Sequence, residues 1–214
     1  MKKNDFKNLA ELVFVQFLNF ENQQLLNYKE AGVSKKISSF EFLQNVIFLS
    51  YALKNLGIKK GLKLAIYSYQ NPVWLMVDFA CQLNGIVSVP IFHNISKENL
   101  LFQLKNCNVK AIFIDNQDDF VQKNHFDKMQ FVKEELPKNI TNIITHRIKS
   151  RLKVKNVNDI EGLIDLGRAI YENKKLGDLK SLVLQNNLKN LFKKLDLQVP
   201  NKDDLATIVY TSGS

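Results

Sequence analysis

Between residues 38 and 115 the chain switches back and forth between two hydrophobic periods, and that alternation restricts its fold more than any other feature. Ser38 and Glu41 stand in capping-box spacing ahead of Phe40, Leu43, Ile47, Ser50, Leu53 and Leu56, so this stretch predicts an amphipathic helix, closed by Gly57. After the turn Lys59-Lys60-Gly61, the residues Leu62, Leu64 and Ile66 alternate as in a short buried strand. Asn71 offers an N-cap, and Pro72 a first helical residue whose missing N–H costs nothing; the helix they open runs over 73–83 and ends at Gly85. Residues 86–91, IVSVPI, are β-branched and apolar, Ser96 caps a helix through Leu100, Leu101, Leu104 and Cys107, and residues 109–115, VKAIFID, predict another strand. Strands separated by whole helices cannot be joined as hairpins. They need right-handed crossovers, which give a parallel sheet with helices on both faces, so the fold class is α/β.

Outside this block the pattern continues with less regularity. Residues 9–20, LAELVFVQFLNF, form an apolar helix without the basic polar face of an interfacial helix, so it is expected to pack on the body of the protein. Downstream, residues 120–129 read as helical, 140–145 (ITNIIT) as a strand, and 159–171 as a helix with Ile160, Leu163, Ile164 and Leu166 on one face. Residues 179–195 read as one amphipathic helix through Leu182, Leu188, Leu191, Phe192 and Leu195, after which Pro200 and the turn residues 201–204 reset the chain. The last element, residues 205–210 (LATIVY), has the pattern of a buried strand.

Composition excludes several classes. Only four prolines and eight glycines occur in 214 residues, so no stretch reads as a linker and no internal domain boundary is expected. The net charge of +9 comes from dispersed lysines with only short pairs such as Lys193-Lys194, which describes a solvated surface better than a nucleic-acid footprint. Cys81 and Cys107 lack metal-ligand spacing and lie in apolar helical patterns, which suits buried free thiols in a reducing cytoplasm. No apolar run is long enough for a membrane span and the N-terminus lacks the core of a signal peptide, which leaves a soluble protein, at most peripheral at the inner membrane face. His93, His125 and His146 are isolated in sequence and read as structural or surface residues, Asp115 as a turn-initiating aspartate at a strand end, and Trp74 as a core or contact residue.

The segment that carries chemistry is the last one. The strand over 205–210 runs directly into Thr211, Ser212, Gly213 and Ser214. Glycine lets a backbone approach a polyphosphate closely, successive N–H groups point at its oxygens, and hydroxyls add short donors. The same residues also make ordinary turns, and the lysine of a Walker-type loop is absent.

Residues 204–214, DLATIVYTSGS, resemble the approach to the phosphate-binding signature of the AMP-forming acyl-CoA synthetase family, which continues T-G-x-P-K-G. Residues 68–115 resemble the first strand-helix-strand block of the same family, with Asn71, Gly85, Pro90, Ser96 and Glu98 in fitting places. Around the end of the Val-Pro strand the family often has tyrosine and threonine where this chain has Phe92-His93-Asn94-Ile95. The long interval between Pro90 and Thr211 is more like the long-chain fatty acyl members.

The resemblance implies a two-step ligase reaction. A fatty acid carboxylate attacks the α-phosphorus of ATP, pyrophosphate leaves, and the thiol of coenzyme A then takes the acyl group. It further implies that Thr211, Ser212, Gly213 and Ser214 hold the β- and γ-phosphates with Mg2+ sharing the charge, and assigns no catalytic residue within the chain. On this view residues 1–214 are the N-terminal part of an AMP-binding (adenylation) domain cut within the phosphate-binding loop, with the rest of that domain and a C-terminal domain beyond it. Such a portion is expected to be inactive alone. Two alternatives stay open, a non-catalytic gene remnant and a self-contained nucleotide- or phosphate-binding α/β module; acyl-chain length and oligomeric state are not fixed by the sequence.

Overall fold

The computed structural model describes residues 6–30, 32–115, 128–147 and 156–211. Helix α1 (Leu9–Asn19) leads into an antiparallel hairpin of β1 (Leu26–Glu30) and β2 (Val33–Ile37). The alternating part follows as α2 (Ser39–Asn55), β3 (Lys63–Tyr67), α3 (Pro72–Leu83), β4 (Val87–Ile91), α4 (Lys97–Asn106) and β5 (Ala111–Asp115). Then come α5 (Lys128–Glu134), β6 (Asn142–His146), β7 (Val157–Asp159), α6 (Ile160–Asn173), α7 (Leu179–Gln185) and α8 (Leu188–Leu195). The expected caps are in place. Ser38 Oγ accepts from the Glu41 N–H at 3.1 Å, Asn71 Oδ1 from the Trp74 N–H at 2.9 Å and Ser96 Oγ from the Asn99 N–H at 3.3 Å.

Five strands form a parallel sheet in the order β4-β3-β5-β6-β7. The chain steps from β3 to β4 in one direction and then returns past β3 to β5, so right-handed crossovers place α3 and α4 on opposite faces. Side chains divide accordingly. Leu64, Ile66, Phe113 and Ile144 join the core shared with α1, α2, α3 and α6, while Ala65, Tyr67, Ile112 and Ile114 meet Leu100 and Leu104 of α4 and Phe131 of α5. Helix α1 packs on the body as expected, with Phe14 and Phe192 of α8 edge to face at 5.2 Å between centroids.

Helix α2 is more central than an amphipathic reading allows. All residues over 46–53 are buried, because α1, α3 and α6 close around it. Gly167 makes the approach of α6 possible: a Cβ there would lie 1.8 Å from the carbonyl oxygen of Phe48. The polar Ser50 in this run is satisfied locally, its hydroxyl donating to Ile47 O at 2.7 Å, and Asn84 Nδ2 donates to Ser50 O at 2.7 Å.

Two expectations need correction, and one element was not anticipated. The stretch over 179–195 is two helices, because Asn186 leaves the helical region at ψ 145° and Asn187 starts α8 as an N-cap, accepting from the Asn190 N–H at 2.9 Å. Residues 205–210 form no regular strand; they touch the sheet through a single parallel bridge, Ser88 with Thr207. The β1–β2 hairpin had no clear signal, since all of β2 except Ile37 is exposed and carries no apolar alternation. Of the helix read over 120–129, residues 120–127 lie outside the described residues.

Candidate functional site

Open parallel sheets present ligands with a crevice at the carboxyl ends of their strands, where the strand order reverses. Here the reversal lies between β3 and β5, and a polar cluster fills it. Asp115, the last residue of β5, is fully buried. Its Oδ1 accepts from Arg147 Nε at 3.0 Å and lies 3.2 Å from His146 Nδ1; its Oδ2 accepts from Asn71 Nδ2 at 2.6 Å, from Ser68 Oγ at 3.3 Å and from Arg147 Nη2. His146 reaches on to Glu161 of α6, Nε2 to Oε1 at 3.4 Å, and Arg147 Nη1 lies 3.7 Å from Glu30 Oε1 in the hairpin. Glu30 is also paired with Lys35. One carboxylate therefore ties together the ends of three strands, the start of α3, and through its partners α6 and the hairpin.

Burial alone would push the Asp115 carboxyl up, but the His146 and Arg147 side chains outweigh it and hold the group below the ordinary carboxylate range. A carboxylate so occupied is a weak base, and its chemistry here is to fix geometry. For Glu30 the hydrogen bond from Lys35 is the largest influence and lowers its pKa, against burial and with help from Arg147. Asp115, read as a turn-initiating aspartate, is instead the hub of this network, and His146, read as a structural or surface residue, is a buried structural one. The signal available in the sequence was positional: Ser68, Asp115, His146 and Arg147 all sit at or just past the end of a parallel strand.

The cluster floors a cleft of about 560 Å3 whose rim carries Lys29, Lys35 and Lys36 against Glu41 and Glu161, so its charges are nearly balanced. A second cleft, about 420 Å3, opens beyond the ends of β3 and β4. Tyr69 and His93 stack across it at 3.9 Å between centroids, and Trp74, Phe92 and Val209 complete its wall.

The segment before Thr211 runs beside β4: the bridge of Thr207 to Ser88 is parallel, Val209 lines the second cleft with Ile91, Phe92 and His93, and Thr211 is exposed. Ser88 N–H donates to Ala206 O at 3.1 Å and Ile208 N–H to Ser88 O at 2.9 Å. Thr207 Oγ1 adds a bond to Ser88 O at 3.1 Å and Gln82 Nε2 one to Ala206 O at 3.3 Å. Ser212, Gly213 and Ser214 lie outside the described residues. Among the described residues no group of three or more His, Cys, Asp or Glu could hold a metal ion.

Comparison with known proteins gives a consistent result. The family described as AMP-binding enzyme matches residues 19–214. The chain is 26% identical to long chain acyl-CoA synthetase 6, peroxisomal, of Arabidopsis thaliana over 193 residues, 88% of this chain and 22% of that protein. It is 28% identical to the acetyl-coenzyme A synthetase of Cryptosporidium parvum over 130 residues, 60% of this chain and 19% of that protein. Among solved structures it resembles the acetoacetyl-CoA synthetase from Streptomyces lividans, with a TM-score of 0.63 and 19% identity, over 73% of this chain and 25% of that one. The anthranilate CoA ligase AuaEII in complex with anthranoyl-AMP is similar over 77% of this chain and 30% of that one, with a TM-score of 0.59 and 13% identity. At these identities the structures show the fold, and the chain spans about a fifth of the length of the curated relatives it matches.

Proposed function

The chain belongs to the AMP-binding enzyme family, and on that premise we propose that it is the N-terminal part of a ligase that activates a long-chain fatty acid with ATP and passes the acyl group to coenzyme A. The observation that carries this reading is the likeness to a long chain acyl-CoA synthetase over 88% of the chain. The match to an acetyl-coenzyme A synthetase covers less of the chain and is the reason acyl length needs measurement.

In this reading Thr211, Ser212, Gly213 and Ser214 hold the β- and γ-phosphates. The parallel bridge to β4 and the place of Val209 in the wall of the cleft beyond the ends of β3 and β4 support it, since the carboxyl edge is where open α/β sheets bind ligands. Mg2+ bound with ATP would neutralise charge on the departing pyrophosphate. The contribution of this chain is to position: the Asp115 network ties together the carboxyl ends of β3, β5 and β6, and β4 holds the segment that leads into Thr211. Residues 1–214 form one part of the adenylation domain in this account, without an internal boundary. The buried free thiols of Cys81 and Cys107 support a reducing, cytoplasmic setting. Exposed Phe6, Leu9, Leu18 and Phe20 around α1 support peripheral contact with a membrane face, and no described helix is long and apolar enough to cross a membrane.

The test is product formation. The native gene product containing residues 1–214 is incubated with ATP, Mg2+, coenzyme A and an equimolar panel of acids from acetate to stearate, and thioesters are quantified by mass spectrometry. Long-chain acyl-CoA should dominate. Preferential formation of acetyl-CoA would overturn the chain-length assignment, and no thioester from any acid would overturn the ligase assignment.

A further inference from the structure

The segment that enters the phosphate loop is held to the sheet more sparsely than a strand. Within it and among the described residues, Ile208 N–H makes the last backbone hydrogen bond, to Ser88 O, and Val209 is 60% exposed. Three residue steps lead from Ile208 to Thr211, a lever of about 10 Å when extended. One side chain anchors that lever. The Tyr210 hydroxyl accepts from Asn106 Nδ2 at 2.6 Å and lies 3.1 Å from Cys107 Sγ, while its ring meets Phe102 edge to face at 6.3 Å between centroids. Asn106 and Cys107 are the last residue and the C-cap of α4, and Phe102 lies one turn earlier on the same helix.

The partner chemistry fits an anchor. Asn106 supplies an N–H, the phenol oxygen accepts it, and the phenol hydrogen is left to point at the Cys107 sulfur, which is buried in the α4 side of the core. Helix α4 is in turn fixed to the sheet through Leu100 and Leu104, both fully buried. The hydroxyl thus connects the residue before Thr211 to a rigid element, at a point where the backbone has stopped bonding to β4.

We propose that Tyr210 is a positioning residue for nucleotide binding: its phenol, tethered to Asn106 and Cys107 at the end of α4, sets where Thr211 and the loop after it meet the phosphates of ATP. This rests on the reading of residues 211–214 as the phosphate loop. The tether itself rests on the geometry alone.

The experiment compares wild type, Tyr210→Phe, Asn106→Ala and the double variant in the native gene product, with two readouts. Hydrogen–deuterium exchange of the peptide covering 206–210 reads the tether without nucleotide, through the Ile208 N–H held by Ser88 O, and steady-state kinetics read KM for MgATP separately from KM for the acid. Phenylalanine keeps the ring against Phe102, so the fold is retained while the anchor is lost. Tyr210→Phe should speed exchange at Ile208 and raise KM for MgATP about threefold to tenfold, the scale of a net hydrogen bond, with KM for the acid unchanged. Adding Asn106→Ala should bring no further loss, and Cys107→Ser, which keeps a hydrogen-bonding partner, should behave as wild type. Unchanged exchange and unchanged KM for MgATP in Tyr210→Phe, even with a lower Tm, would show a packing residue only and overturn the proposal. Faster exchange in a wild-type background that shows no ATP-dependent chemistry would overturn the phosphate-loop reading, and with it the role assigned to the tether.

Discussion

Replacing Asp115 by alanine removes the carboxylate on which five neighbouring side-chain contacts converge. Arg147 loses two hydrogen bonds, Asn71 and Ser68 one each, and His146 its charged neighbour. Removing one partner of a buried ion pair costs about 3–5 kcal/mol, because the other charge stays behind without compensation. The Arg147 side chain is 24% exposed and has Glu30 at 3.7 Å, so part of its charge is relieved by water and by that carboxylate. The expected cost at neutral pH is therefore near the low end, about 3 kcal/mol. For a domain of this size that corresponds to a fall in Tm of about 6–12 °C. The assay is urea unfolding followed by far-UV circular dichroism, repeated from pH 7 downwards. Since the folded Asp115 pKa is lowered, its stabilisation is present above the ordinary value of 3.8 and is lost as pH falls through the folded value, so the gap between wild type and variant should close there. A gap below about 0.5 kcal/mol at pH 7, the range of an uninvolved surface substitution, would refute the assignment of Asp115 as a charged hub.

Gly167→Ala would drive a methyl group into the Phe48 carbonyl at 1.8 Å, so α6 must move off α2; a loss of about 3 kcal/mol or more is expected in the same unfolding assay, against well under 1 kcal/mol for Gly177→Asn at an exposed turn. Asp78 carries the opposite pH dependence to Asp115. Burial raises its pKa, against the pull of Ser88 and Gln82, so wild type loses stability as pH rises from 3.8 through the raised folded value, and Asp78→Asn should gain Tm relative to wild type across that rise. Asn187→Ala removes the cap that starts α8 and should cost about 1 kcal/mol, measurable by thermal melts.

What was legible in the sequence follows from which interactions are local. The capping residues Ser38, Asn71 and Ser96 act within three residues of themselves, so their helices could be placed closely, and the β-branched runs ending at Ile91 and Asp115 needed only their own periodicity. The division of 179–195 failed because the leucines keep a helical period across the break, while the break depends on Asn187 preferring its own side-chain bond to the backbone helix. The hairpin was illegible because β2 meets solvent on nearly every residue, leaving no buried face to impose a period of two. Thr211 is proposed from its motif alone, whereas Asp115, His146 and Arg147 become a unit only when β5 and β6 lie side by side with Asp115 opposite His146. Residues far apart in sequence that share a strand-end plane leave no local pattern to read.

The central claim is that residues 205–214 lead into the phosphate site of an acyl-adenylating ligase. The most direct measurement is exchange of radiolabelled pyrophosphate into ATP by the native gene product, without coenzyme A, with and without a long-chain fatty acid. The account predicts exchange that requires the acid and is reduced by Thr211→Val, a substitution that keeps shape at an exposed position while deleting the hydroxyl. Acid-dependent release of ADP and phosphate without exchange, or exchange indifferent to the acid, would contradict it.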